Sequence, residues 1–423
     1  MMRFGDLHSL RLGQQEYLPL MQGGMGVDIS TAALALEVCR LGGIGHISDA
    51  MSPYVSDKYY GTRYQATKAK SFEGEITSAG VPNAAWRPEV VYEANKRASE
   101  MAMSKKRGPG AVHVNVMEKL GMGNPTETLR ARLRGVLDGG IDGITLSAGL
   151  HNGSLKLIED HPRFHDAKIG IIVSSARALA IFLRGASRLK RLPDYVVVEG
   201  PLAGGHLGFG DDWAQYSLDA IVKEVRAALD AAELSIPVIA AGGIFDGADA
   251  LSICEVGASA IQVATRFTIS NECGIPPLIK QKYLAADESD LDVNKLSPTG
   301  YLMRMLKSSP CMASNIKPNC AGLGYLLDKE GKCAYHVAYE NTGCDSEGKK
   351  LPVTDKMCIC YHFMKYSCYT CGQNVHRLKD TVKVGASGEV IMPSAEDVFR
   401  DYLFSPVQQV EFGEVFERAA AGL

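Results

Sequence analysis

In the stretch VEGPLAGGHLGFGDD (198–212) one histidine, His206, stands among five glycines, directly after an apolar run. An imidazole titrates near neutral pH, so at the end of a strand it can take a proton from a substrate or give one back. A histidine in a loop can also do no more than hydrogen-bond a carbonyl. Asp211 and Asp212 follow closely; they could orient the imidazole, and they also suit the N-cap of the next helix, which is the simpler expectation. A second constellation is AAGGIFDG (240–247) followed by GASAIQVATRF (257–267). A phosphate needs several backbone N–H groups converging on it, and a glycine pair ahead of a helix N-terminus permits that approach. Gly242 and Gly243 could instead serve only a tight turn; the two segments together favour phosphate.

These residues lie at the ends of short apolar runs. Eight such runs recur, at 17–25, 42–48, 111–116, 143–149, 168–175, 195–200, 237–243 and 260–267. They alternate with segments of helical periodicity such as STAALALEVCRLGG, which ends in a glycine pair suited to a C-cap. Near-continuous apolar strands alternating with helices indicate a parallel sheet covered on both faces. Eight units over this length predict an α/β fold, a (β/α)8 TIM barrel, with a doubly wound open sheet as the competing architecture. In such a barrel chemistry gathers where the strands end, and a phosphate site recurs after strands seven and eight.

The rest of the chain bounds the reading. With 423 residues, 46% hydrophobic and 22% charged, and a formal net charge of −3, there is no basic bias toward nucleic acid. No window approaches the roughly 18 apolar residues that span a bilayer, and the N-terminus has no signal-peptide core. The expectation is a cytoplasmic enzyme of a small-molecule substrate, with no membrane or nucleic-acid partner and a possible homodimer. Neither a G-x-G-x-x-G turn after an early strand nor a G-x-x-x-x-G-K-[ST] loop is present, which leaves a phosphorylated flavin or a phosphorylated substrate. Three regions are expected: a barrel over 1–275, a loop-rich and cysteine-rich second domain over 276–386, and C-terminal helices over 387–423. A helix is expected around 90–106, with loops on either side of it.

The motifs LMQGGMG, HVNV, VEGPLAGGHLG, PVIAAGGIFDG and QVATRF, in this order, resemble the nitronate monooxygenase family, formerly called 2-nitropropane dioxygenases, whose relatives include flavin-type enoyl-ACP reductases and NAD(P)H:quinone reductases. The likeness covers about residues 10–310, including SPTGYLMRMLK. It implies a barrel holding noncovalent FMN, with NAD(P)H as an electron donor in the reductase branch. On that basis Gly23, Gly24 and Met25 pack along the isoalloxazine and Asn115 hydrogen-bonds near it. Glu199 stands where relatives often have Gln, and Gly204 and Gly205 let their loop approach the flavin. Gly242, Gly243, Ala264 and Thr265 hold the phosphate with Gln262 beside them, and His206 matches the catalytic histidine. Ala264 replaces the usual Gly of a QxGT motif; a backbone N–H contact there survives the change unless φ is positive. The implied activity is oxidation of alkyl nitronates with O2. The alternatives are NAD(P)H-dependent reduction of quinones or an enoyl thioester, and a non-catalytic FMN-binding scaffold.

Eight of the eleven cysteines fall between Cys311 and Cys371, with His336, His362 and His376 nearby. Cys358-Ile-Cys360 and Cys368-Tyr-Thr-Cys371 suit zinc or an iron–sulfur cluster, but no ferredoxin-like spacing is present, and plain thiols or a redox disulfide are equally consistent with the pattern. Cys39 and Cys254 lie in apolar helical surroundings and read as small buried hydrophobes; Cys273 is isolated.

Overall fold

The structure, a computed structural model, describes residues 3–75, 85–119, 124–324 and 332–405. Eight parallel strands close on themselves: β1 (Leu20–Gln22), β2 (Ile44–Ser48), β3 (Ala111–Met117), β4 (Gly143–Ser147), β5 (Lys168–Val173), β6 (Tyr195–Glu199), β7 (Val238–Ala241) and β8 (Ala260–Val263). β8 pairs back onto β1, with Ile261 opposite Leu20 and Val263 opposite Gln22, so the sheet is a closed barrel and the open-sheet alternative falls. All eight expected strands are present; seven are shorter than the apolar runs that announced them, and β3 runs one residue further, to Met117.

Period two operates inside these runs. In β6, Tyr195 and Val197 point to the barrel axis and cluster with Met21, Ile44 and Ile239, while Val196 and Val198 pack outward against the helical layer. The antiparallel hairpin Leu10–Leu12 with Gln15–Tyr17 adds Leu10, Leu12 and Tyr17 to the axial cluster and so stops one end of the barrel.

The helices start where the chain offers a cap. Thr31 accepts from the Leu34 amide, Ser175 from Ala178, Ser217 from Ala220, and Asp246 from both Ala248 and Asp249. Helix Ala32–Arg40 ends into Gly42 at φ +97°, as its glycine pair predicts. The cap of the helix after His206 is therefore Ser217, not an aspartate. Asp212 precedes only a 3-10 turn and makes no cap hydrogen bond, accepting instead from the Tyr216 hydroxyl. Between β2 and β3 the long helix is Pro88–Met103, and the stretch before it, expected as loop, carries two more helices, Ser52–Tyr59 and Tyr64–Ser71.

Residues beyond the barrel fold back over the strand ends. Leu291–Asn294 and Met303–Leu306 pair antiparallel, and the second also pairs with Gly205–His206. Helix Ala395–Phe404, capped by Ser394, buries Val398, Phe399, Tyr402 and Leu403 in the main core cluster. The second of the expected C-terminal helices, VQQVEFGEVFERAAAGL (407–423), lies outside the described residues.

Candidate active site

A cavity of about 470 Å³ opens at the C-terminal ends of the barrel strands, within the roughly 300–1,000 Å³ usual for ligand sites. Every residue that the family likeness assigned lines it: Gly23, Gly24 and Met25 after β1, Asn115 in β3, Glu199, Gly204, Gly205 and His206 at and after β6, Gly242 and Gly243 after β7, and Gln262, Ala264 and Thr265 at β8.

The wall at β7 and β8 turns sharply and leaves backbone N–H groups facing the cavity unpaired. Gly242 and Gly243 have φ of +92° and +93°, values that only glycine adopts readily. Among the described residues nothing accepts from the backbone N–H of Gly243, Ile244 or Thr265. Ala264 has φ −131°, so its methyl group is tolerated where a glycine was expected. Gln262 Oε1 is buried without a partner. Three unspent amides are what a phosphate group would satisfy, whereas the Gln262 carbonyl only accepts and would need a hydroxyl or ring N–H donor from elsewhere on a ligand.

Opposite, the glycines allow close packing. A Cβ on Gly24 would stand 2.3 Å from Asn115 Cβ, so the β1 loop lies directly on the Asn115 side chain. Gly24→Ala forces one of them to move and is expected to cost about 1–3 kcal/mol; urea denaturation measures this, and a change below a few tenths would show that the contact yields freely. The role of Gly204 is more specific than loop thinness. A Cβ there would lie 2.5 Å from Cys371 C and Gly372 N, so the close approach it permits is to the C-terminal segment.

His206 is held by backbone pairing with Met303 and by its ring. Its Nε2 is 2.7 Å from Ser297 Oγ, which is 2.7 Å from Thr299 Oγ1. Phe363 stacks on the imidazole with centroids 6.4 Å apart, and Tyr301 meets it edge-on. Burial pulls its pKa down to about 4, so the ring is neutral at pH 7 and not poised near neutrality as an exposed imidazole would be. Neither aspartate touches it: Asp211 pairs with Lys295. Ser297 is its partner instead. Glu199 faces the same cavity with no hydrogen-bond partner among the described residues, and burial pushes its carboxyl up to about 7.

Sequence reasoning missed the outer wall. Ile359, Cys360, Phe363, Thr370, Cys371 and Asn374 line the cavity too. Asn374 Nδ2 donates to Gly243 O at 2.7 Å, and the Gly372 amide to Thr265 Oγ1 at 3.2 Å. The buried Arg304 guanidinium donates to Pro201 O and Ala203 O, fixing the loop before His206. The available signal was SPTGYLMRMLK, part of the family likeness, and the Cys368-Tyr-Thr-Cys371 pair.

Fold and site together define a (β/α)8 barrel whose mouth gathers unpaired backbone amides beside a neutral histidine. A nitronate monooxygenase family model matches residues 13–338, and the chain belongs to the nitronate monooxygenase family. A probable nitronate monooxygenase of Bacillus subtilis is 37% identical over 103 residues, 24% of this chain and 29% of that protein, so the match spans less than a third of that curated relative. FabK from Thermotoga maritima superposes with a TM-score of 0.54 at 19% identity, covering 96% of each chain. Nitroalkane oxidase from Streptomyces ansochromogenes does so at 0.51 and 17%, covering 96% of this chain and 97% of that one. At these identities the two structures speak to the shared fold. Among the described residues no helix is long and apolar enough to cross a membrane.

Proposed function

We propose that this protein is an FMN-dependent oxidoreductase that oxidises alkyl nitronates with O2, releasing a carbonyl compound and nitrite. The observation that carries the reading is the single cavity joining unspent amides at β7 and β8 to His206 at β6. FMN fits the residues: Gly243, Ile244 and Thr265 would hold the phosphate, while Gly23, Gly24, Asn115 and Gln262 would hold the ring system. When bound it supplies electron transfer that no side chain can perform.

The protein's own part is orientation and one proton. His206, neutral and oriented through Nε2 by Ser297, leaves Nδ1 to accept the α proton when the substrate arrives as the neutral nitroalkane, converting it to the nitronate that is then oxidised. Phe363, Tyr301 and Ile359 shield that step from water. The test is anaerobic mixing of the FMN-loaded protein with propyl nitronate, NADH and NADPH in turn. Bleaching by nitronate alone supports the reading; bleaching only by a reduced nicotinamide moves the protein to the reductase branch. Failure to retain FMN on reconstitution sinks both.

Glu199 gives a pH dependence with a defined sign. Below about pH 7 its carboxyl is neutral; above it an unpaired carboxylate faces the ligand. FMN affinity is expected to fall as pH rises from 6 to 8, by about tenfold over that range if only the neutral form binds. Because the folded-state pKa is raised, the stability linked to this group is full below the ordinary carboxylate range and lost as pH rises through 7. Glu199→Gln should flatten both dependences; a wild-type FMN titration already flat across that range refutes the assignment.

A further inference from the structure

A second cavity, of about 20 Å³, lies in the C-terminal segment and is lined by Cys320, Cys333, His336, Cys358 and Cys360. We propose that these five side chains supply a thiolate-rich site for a soft metal, separate from the FMN cavity but sharing a wall with it. The donors come from three separated stretches of chain, yet meet around one space of the size that admits a water molecule or an ion.

His336 is the sharpest element. It lies on helix Ala334–Asn341, is 7% exposed, and has its Nδ1 3.6 Å from Glu340 Oε2. Its Nε2 is buried with no hydrogen-bond partner. A carboxylate on one ring nitrogen, with the other nitrogen left for a metal, is the usual support of a histidine ligand. Cys333 caps the same helix three residues earlier, which places both on one side of its first turn. Cys358 and Cys360 stand at the start of helix Ile359–Met364.

Charge completes the case. Lys68, 7% exposed, reaches the same place: its Nζ donates to Cys320 O at 3.0 Å and lies 4.4 Å from the centroid of the Trp86 ring. Among the described residues it has no carboxylate partner. A divalent ion on three thiolates and an imidazole carries a net charge of −1, and on four thiolates −2, which suits a basic side chain alongside. Each cysteine that binds gives up its proton, so loading the site releases three or four protons. Among the described residues no group of three or more such donors is arranged to hold an ion as the side chains stand, so coordination is completed by side-chain rotation toward the cavity.

Ile359 and Cys360 line both this cavity and the larger one. The metal therefore anchors the stretch that bears Phe363 against His206.

The test is elemental analysis, with acid-labile sulfide, of the full chain purified under reducing conditions without added metal. The expected result is one zinc per chain without sulfide, or iron with equal sulfide if a cluster occupies the same thiolates. The Cys358→Ser/Cys360→Ser double variant should lose at least tenfold of that metal, while Cys254→Ser keeps it. If the double variant does not fold, Co2+ added to chelated wild-type protein should give the thiolate-to-cobalt charge-transfer band. Wild-type protein with neither zinc nor iron and no such band overturns the site, as does a folded double variant with wild-type metal content.

Discussion

His206→Asn should leave FMN content unchanged while slowing turnover of a neutral nitroalkane by about 10²–10⁴-fold, the range spanned by a positioned general base. Asparagine keeps a hydrogen-bonding group near Ser297 and fills a similar space, so the loop pinned by Met303 should not move. A preformed nitronate has already lost the proton that His206 would remove. Turnover of propyl nitronate should therefore fall far less than that of the parent nitroalkane, and equal losses on both would show that the histidine orients substrate and does not abstract a proton. With its pKa near 4, His206 adds no limb to the rate profile between pH 6 and 8. A limb near pH 7 belongs to Glu199 and should vanish in Glu199→Gln.

The largest stability effect is expected at Asp49→Ala, about 3–5 kcal/mol. Asp49 and Arg132 are both fully buried, with Arg132 Nη1 2.7 Å from Asp49 Oδ2. Their contacts converge on the end of β3: Asp49 Oδ1 accepts from the Met117 amide and Arg132 donates to the Met117 carbonyl. Burial raises the Asp49 carboxyl above its ordinary range, and Arg132 pulls it back. Removing the carboxylate takes this counter-charge from a buried guanidinium, which costs more than the pair itself contributes. Urea denaturation measures the loss. Replacing both partners with apolar residues of similar volume should recover most of it, and a single variant within 1 kcal/mol of wild type would show that water reaches Arg132.

The barrel was legible because its strands are short apolar runs with small residues at their ends, and because β-strand periodicity needs only local pattern. The mouth was legible for the same reason: Gly242 and Gly243 sit where a strand must turn, and QVATRF closes the ring beside them. What sequence could not supply is what arrives from far along the chain. Ser297 on His206, Phe363 stacked above it and Asn374 on Gly243 are contacts across about 90 to 160 positions, and no periodicity announces them. The same distance misdirected the reading of Asp211 and Asp212, which are near His206 in sequence yet turned to Lys295 and Tyr216. The imidazole's depressed pKa is equally a property of enclosure, invisible until the walls are in place.

The contact between Gly204 and Cys371–Gly372 has a kinetic side. Residues 371–374 brace the loop before His206 at one end and hold the Gly243 carbonyl and Thr265 hydroxyl at the other. Any path that admits a ligand by lifting this stretch must release both ends at once. Entry and readiness to react are then mutually exclusive, so a ligand already inside is committed until that clasp reopens.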